Sequence, residues 1–317
     1  MRRSTAVILV VGAFCLGVLS SSCARAKPDR VAVFEDSRLA AAVARTLGVA
    51  RGELVVSLVA GITQLEAVAQ GISSLKGIEV CVHLQRLDLT YNQLTDLDPL
   101  AGLTQLTELF LHGNQIRDLD PLAELTRLRQ LFLGGNRIDD LGPLARLTQL
   151  TYLSLGGNQI HDLSPLAGLT GLTYLCLGGN RITDIGPLVG LTQLRELFLY
   201  GNRVDDLGPL AGLVQLRQLS LGGNRISDLR PLAGLTQLGW LSLYGNQICD
   251  LSVVAELTQL TQLSLHGNEI RDVSSLEALP RLKSVRLEGN PRLDLGEGSE
   301  AWHVIRALET RGVDVSY

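Results

Sequence analysis

One phrase of 22 residues recurs without drift from Leu84 onward, and that period restricts the fold more than any other feature of the chain. Nine full copies begin at Leu84, Leu106, Leu128, Leu150, Leu172, Leu194, Leu216, Leu238 and Leu260, with a shortened copy at Leu282 and a degenerate one at Ile62. A fixed-length unit this short cannot bury its apolar side alone, so it must stack on its neighbours. The 317 residues, which by length would suggest two domains, therefore read as one continuous stack.

The shared frame is L-x-x-L-x-L-x-x-N-x-I/L-x-D-L-x-P-L-A-x-L-T-x. Leucines at positions 4 and 6 point to one side of an extended segment, while positions 3, 5 and 7 point to the other. Stacked copies then give a parallel sheet with a leucine interior. All ten asparagines of the chain, Asn92 to Asn290, fall at position 9, where a buried amide can satisfy backbone groups as the chain leaves the strand. Glycine precedes it in nine copies, which suits a sharp turn. On the return path, position 15 (Asp98, Asp120, Gly142, Ser164, Gly186, Gly208) is read as a cap and position 16 as the first-turn proline. The segment is too brief for an α-helix, so a 3₁₀ turn is expected.

This pattern is the leucine-rich repeat, and the chain from about Val31 to Tyr317 resembles the internalin-like class of bacterial leucine-rich repeat proteins. "VAVFEDSRLAAAVARTLGV" is similar to that class's N-terminal cap, with Ser37 read as the cap of a helix whose Leu39, Val43 and Leu47 share a face. "GNPRLDLGEGSEAWHVIRALETRGVDVSY" resembles its closing cap, with a helix from Ser299 to Gly312 and a last strand in Val313 to Tyr317. The resemblance implies an α/β leucine-rich repeat solenoid, right-handed, with a parallel β-sheet on the concave face, a 3₁₀ or irregular convex side and helical caps. Internalins proper continue into an immunoglobulin-like segment and sometimes a wall-sorting signal. Only the repeat module and its role in protein recognition are expected to carry over.

The first residues have the layout of an export signal. Arg2 and Arg3 precede an apolar run, Ala6 to Leu19, too short to span a hydrocarbon core of about 30 Å. Ser22-Cys23 resembles the processing site of bacterial lipoproteins, which implies lipidation at Cys23. Ala24-x-Ala26 offers ordinary cleavage as the alternative. The expected organisation is a signal over 1–22, a linker over 23–30, an N-terminal cap with the degenerate first repeat over 31–83, nine repeats over 84–281, and a partial repeat with the C-terminal cap over 282–317. A cytoplasmic protein, similar to repeat proteins that regulate phosphatases, stands only if residues 1–26 stay uncleaved.

Net charge is −4, only Lys27, Lys76 and Lys283 are lysines, and no basic patch appears, so nucleic acid is not an expected partner. Beyond Cys23, the cysteines Cys81, Cys176 and Cys249 occupy three different repeat positions, too far apart to bridge. Free thiols are expected.

With the fixed letters removed, the outward positions remain. Phe110, Phe132 and Phe198 stand at position 5, Tyr152, Tyr174 and Trp240 at position 3, and Tyr200 and Tyr244 at position 7. A domain that fills its core with leucine has no packing need for outward aromatics, and clustered aromatics mark interaction surfaces. Phe110, Phe132, Tyr152 and Tyr174 are read as one contiguous patch, and Phe198, Tyr200, Trp240 and Tyr244 as a looser second group. Cross-strand stacking without a ligand is the competing explanation. Arg137, Arg181, Arg203 and Arg225 near Asp139, Asp140, Asp205 and Asp206 read as a ladder of surface ion pairs.

Catalytic signatures are missing. His112 and His266 lie seven repeats apart, about 34 Å at strand spacing, and no nucleophile elbow, P-loop or CxxC occurs. Ser154, Ser220, Ser242 and Ser264 read as plain polar surface with no histidine partner on their face. The expected protein is a non-catalytic, monomeric protein-binding module in the bacterial cell envelope, tethered only through a lipid anchor and needing no cofactor or metal. Surface-glycan recognition and a purely structural envelope role stand beside it.

Overall fold

The computed structural model describes residues 29–317. The signal segment and Cys23 lie outside the described residues. Three-residue strands recur at the repeat period: β1 is Gln64–Glu66, β2 to β11 take positions 3–5 of successive repeats from Arg86–Asp88 to Ser284–Arg286, and β12 is Asp314–Ser316. They form one parallel sheet in sequence order, and from β1 to β11 the register advances by 22 residues per strand, as in Leu87 opposite Leu109 and Leu109 opposite Leu131. The fold is a leucine-rich repeat solenoid. Every central strand leucine from Leu65 to Leu241 is 0% exposed, and full burial of such a side chain stabilises by about 1.5–3 kcal/mol.

The asparagines hold the copies together. Asn114 Nδ2 donates to Leu111 O in its own repeat (3.0 Å) and to Leu89 O in the preceding one (3.1 Å), while its Oδ1 accepts from Leu94 N of that preceding repeat (3.0 Å). Asn136, Asn202 and Asn246 repeat the pattern. Each amide thus satisfies groups that leave the sheet ladder and have no water to turn to. Glycine at position 8 has φ of 60 to 68° from Gly113 to Gly289, a left-handed conformation in which a Cβ is strained. Tyr91 is the exception at this position, with φ 56°.

The convex side is built from 3₁₀ turns such as Asp98–Leu100 and Gly186–Gly190. Position 15 does not cap them, contrary to the sequence expectation. It is the first residue of the turn, and its N–H donates to the carboxylate two residues earlier: Asp98 N to Asp96 Oδ1 at 2.8 Å, Gly186 N to Asp184 Oδ1 at 2.7 Å. The N-cap position itself is the apolar residue at 14, which makes no side-chain bond, so the aspartate at position 13 does the capping from one residue further back, and position 15 tolerates glycine. Hydrogen bonds to Ser164 hold Asp162 below the usual carboxylate range, and those to Ser252 do the same for Asp250.

At the front, α1 (Ser37–Leu47) is capped by Asp36, not Ser37: Asp36 Oδ1 accepts from Arg38 N at 2.8 Å, because the helix starts one residue earlier than expected. The other Asp36 oxygen accepts from Ser73 N (2.9 Å) and Arg38 Nη1 donates to Gly71 O (2.5 Å), so the cap is stitched to the first turn of the stack. A short α2 (Val56–Ala60) follows. At the back, α3 (Glu300–Thr310) is capped by Ser299, and Arg311 donates to Glu277 O and Leu279 O of the last 3₁₀ turn. Cys81, Cys176 and Cys249 are free thiols.

If position 13 is the cap, Asp184→Ala lowers unfolding free energy by about 0.5–2 kcal/mol in urea denaturation, while Ser164→Gly at position 15 changes it by no more than about 0.5 kcal/mol. Equal losses would return the cap to position 15.

Candidate binding face

Positions 3, 5 and 7 line the open face of the sheet, where neighbouring strands bring side chains within stacking distance. Phe110 and Phe132 stack nearly parallel, centroids 4.8 Å apart at 8°, and the Arg86 guanidinium lies 4.4 Å over the Phe110 ring. Arg86 is also paired with Glu108 and, at 3.9 Å, with Glu66.

A second run begins at Tyr152. Tyr152 stacks on Tyr174 (5.2 Å, 15°), Tyr174 leans on Phe198 (5.5 Å, 44°), and Phe198 reaches Trp240 across an intervening repeat (6.2 Å, 46°). The sequence expectation of a Phe110–Tyr174 patch is therefore corrected. Among the described residues no ring pair joins Phe132 to Tyr152, and the two sets divide there. The reason is positional: Phe132 stands opposite Ser154, and Tyr152 opposite Gln130. The anticipated break between Tyr174 and Phe198 is closed by contact.

Tyr200 and Tyr244 are placed by glycines of the preceding repeat. A Cβ on Gly178 would sit 2.4 Å from the Tyr200 ring, and one on Gly222 would sit 2.1 Å from the Tyr244 ring. These position-7 glycines are spaces that let an aromatic ring lie flat on the backbone. Tyr244 also stacks on His266, 5.0 Å and 3°. Tyr152 and Tyr200 remain 39% exposed, and Phe110, Phe132, Tyr174, Phe198, Trp240 and Tyr244 are half-buried. Tyr91, which sequence reasoning passed over, is 59% exposed and sets its ring edge-on to His112 at 5.4 Å. Its signal was the one missing glycine of the position-8 row.

Two further expectations are corrected. Ser264 does have a histidine partner: its Oγ lies 2.9 Å from Nδ1 of His266, two residues on and therefore on the same face. And Arg137, Arg181, Arg203 and Arg225 form no ion pairs among the described residues. Arg137 donates to Gln115 instead, Asp139 pairs with Arg117 at 3.0 Å, and Asp140 and Asp206 accept from Gly142 N and Gly208 N as caps.

The backbone N–H groups beside Ser264 are committed: Leu265 N donates to Arg286 O and Gly267 N to Glu288 O, both at 2.8 Å. Among the described residues no cluster could hold a metal ion, and no helix is long and apolar enough to cross a membrane. Burial and the neighbouring Cys176 and Glu196 push the Tyr174 phenol up to about 12, and burial together with Cys176 raises that of Tyr200.

The family model for Leucine Rich repeats (2 copies) matches residues 82–124, 126–168, 170–212 and 258–298. Among solved structures, the chain is 38% identical to internalin C2 of Listeria monocytogenes over 69% of this chain and 100% of that one, with a TM-score of 0.67. It is 31% identical to the internalin InlF of the same organism, over 85% of this chain and 98% of that one, TM-score 0.59. This is an internalin-like leucine-rich repeat protein. The functional domain of Listeria monocytogenes InlJ is also similar, at 26% identity over 83% of this chain and 62% of that one, TM-score 0.74. Comparison with curated proteins finds no match. Leucine-rich repeat solenoids are commonly protein-binding modules that present an extended surface, and internalin-like proteins are generally non-enzymatic.

The internalin-like solenoid carries six tyrosines, and their environments separate them in a titration followed at 295 nm. Tyr174 should ionise near 12, and that component should vanish in Tyr174→Phe. Because its folded value lies above the ordinary phenol value of about 10, its contribution to stability is intact below pH ~10 and disappears as pH rises through the folded value. A Tyr174→Phe variant whose titration matched wild type would contradict this placement.

Proposed function

We propose that this chain is a non-catalytic protein-binding module of the bacterial cell envelope, exported and held at a membrane through a lipid on Cys23. The observation that carries the reading is the outward aromatic surface. Two ring runs, Phe110–Phe132 and Tyr152–Tyr174–Phe198–Trp240, lie on a face whose architecture does not require them, since a leucine interior is already complete beneath. Aromatic side chains immobilised by their neighbours lose little entropy on binding, and they dominate interface energetics. Tyr200 and Tyr244 extend the same surface at position 7. The anchor follows from the Ser22-Cys23 sequence and the apolar run before it. A diacylated or triacylated residue attaches stably where a single chain does not.

The test is a crosslinking capture from the source organism's envelope, comparing wild type with Phe110→Ser/Phe132→Ser and with Tyr152→Ser/Tyr174→Ser, each first shown to melt cooperatively. Wild type should capture a specific protein, and at least one pair should weaken its purified complex by about 2 kcal/mol or more, roughly 30-fold in Kd. The same preparations read the anchor: wild type should fractionate with membranes and Cys23→Ser should not. Capture unchanged in both pairs would reduce the rings to mutual stacking.

A further inference from the structure

The C-terminal end of the open face differs from the aromatic part. Between Trp240 and β11 lies a cavity of about 340 Å³, at the small end of the range for ligand sites. Its lining is mostly polar: the Gln262 amide, serine hydroxyls including Ser264, the His266 imidazole and the Arg286 guanidinium, with the Trp240 indole and the Tyr244 ring as walls. The one aliphatic residue there, Leu263, is only 2% exposed.

The two arginines of this face behave oppositely. Arg86 is neutralised by Glu66 and Glu108 and covered by Phe110. Arg286 is exposed, and among the described residues it has no ion pair and its guanidinium no hydrogen bond. Its acidic neighbours, Glu288 two positions on and Asp314 opposite Ser284 on β12, leave it unpaired. Ser264 and His266 are mutually oriented at 2.9 Å, and His266 is held flat by Tyr244. In the tautomer that accepts the serine proton at Nδ1, Nε2–H is left as a donor and the serine oxygen as an acceptor.

We infer that this cavity binds a carboxylated saccharide, such as a uronic acid unit, with Arg286 taking the carboxylate, Ser264, His266 and Gln262 the hydroxyls, and Trp240 a ring face. The inference rests on the reading of this face as a binding surface and shares Trp240 with the second ring run, but uses no residue of the Phe110–Phe132 stack. A protein side chain is the poorer fit, because protein anchors fill apolar pockets and this one offers hydrogen-bonding groups at nearly every position. Arg286 meets a carboxylate in two-pronged geometry that a neutral sugar cannot supply.

The test follows Trp240 fluorescence in the full chain carrying Trp302→Phe, titrated with digalacturonic acid, its dimethyl ester and an acetylated, amidated Glu-Glu dipeptide. The acid should quench saturably. The ester should bind at least about tenfold more weakly, and Arg286→Gln should weaken the acid by a similar factor. Ser264→Ala should weaken it severalfold, while Phe110→Ser/Phe132→Ser should leave it unchanged and so separate this site from the Phe110–Phe132 part of the protein-binding surface. Absence of saturable quenching, equal binding of acid and ester, or a dipeptide that binds as tightly as the sugar would each overturn the assignment.

Discussion

Everything in this solenoid depends on one side chain per repeat, the asparagine at position 9. A parallel sheet of three-residue strands leaves its backbone groups unpaired as soon as the chain turns away, and the turn is buried under the next copy. Each asparagine meets that need twice over, serving a carbonyl of its own repeat and both a carbonyl and an N–H of the one before. An amide has donor and acceptor on one planar group, which no aliphatic or hydroxyl side chain matches. The spacing of the ladder sets the spacing of the strands, and the leucines fill what it encloses.

Once the interior is closed by leucine and asparagine, the outward positions are free of structural duty except where two neighbours meet. That freedom has been used unevenly. The front and middle of the face hold rings packed on rings, with the only arginine there buried in charge partners. The far end holds small hydroxyls, an amide and an unpaired Arg286 around a cavity. Position-7 glycines connect the two regimes, since Gly178 and Gly222 are what allow Tyr200 and Tyr244 to lie against the sheet.

The fold was legible almost residue by residue because repetition averages out local ambiguity: a leucine or asparagine that recurs at one position in every copy must do the same work each time. Local chemistry inside the repeat was less so. The frame shows Asp96 and its equivalents as a recurrent letter without showing their bond, and helix-start rules place the cap next to the proline at position 15, whereas a 3₁₀ turn reached through an aspartate two residues earlier obeys a different geometry. The face itself was visible from alternation, and the particular contacts were not. Whether Phe132 meets Tyr152 depends on a diagonal offset that side-chain length and lean decide. Ser264 ends β10 and His266 stands two residues beyond it on the same face, a pairing that reading each position separately across the repeats does not bring together.

The central claim is that the position-9 amides, and not leucine burial alone, set the stability of the stack. Asn202 sits mid-solenoid with Leu177 O, Leu199 O and Ile182 N as partners. Urea denaturation of Asn202→Ala measures the claim directly. Orphaning these buried groups should cost about 1–3 kcal/mol each, lowering the unfolding free energy by several kcal/mol without a change in far-ultraviolet signal before the transition. A loss within about 0.5 kcal/mol, the range of an unremarkable surface substitution, would contradict it.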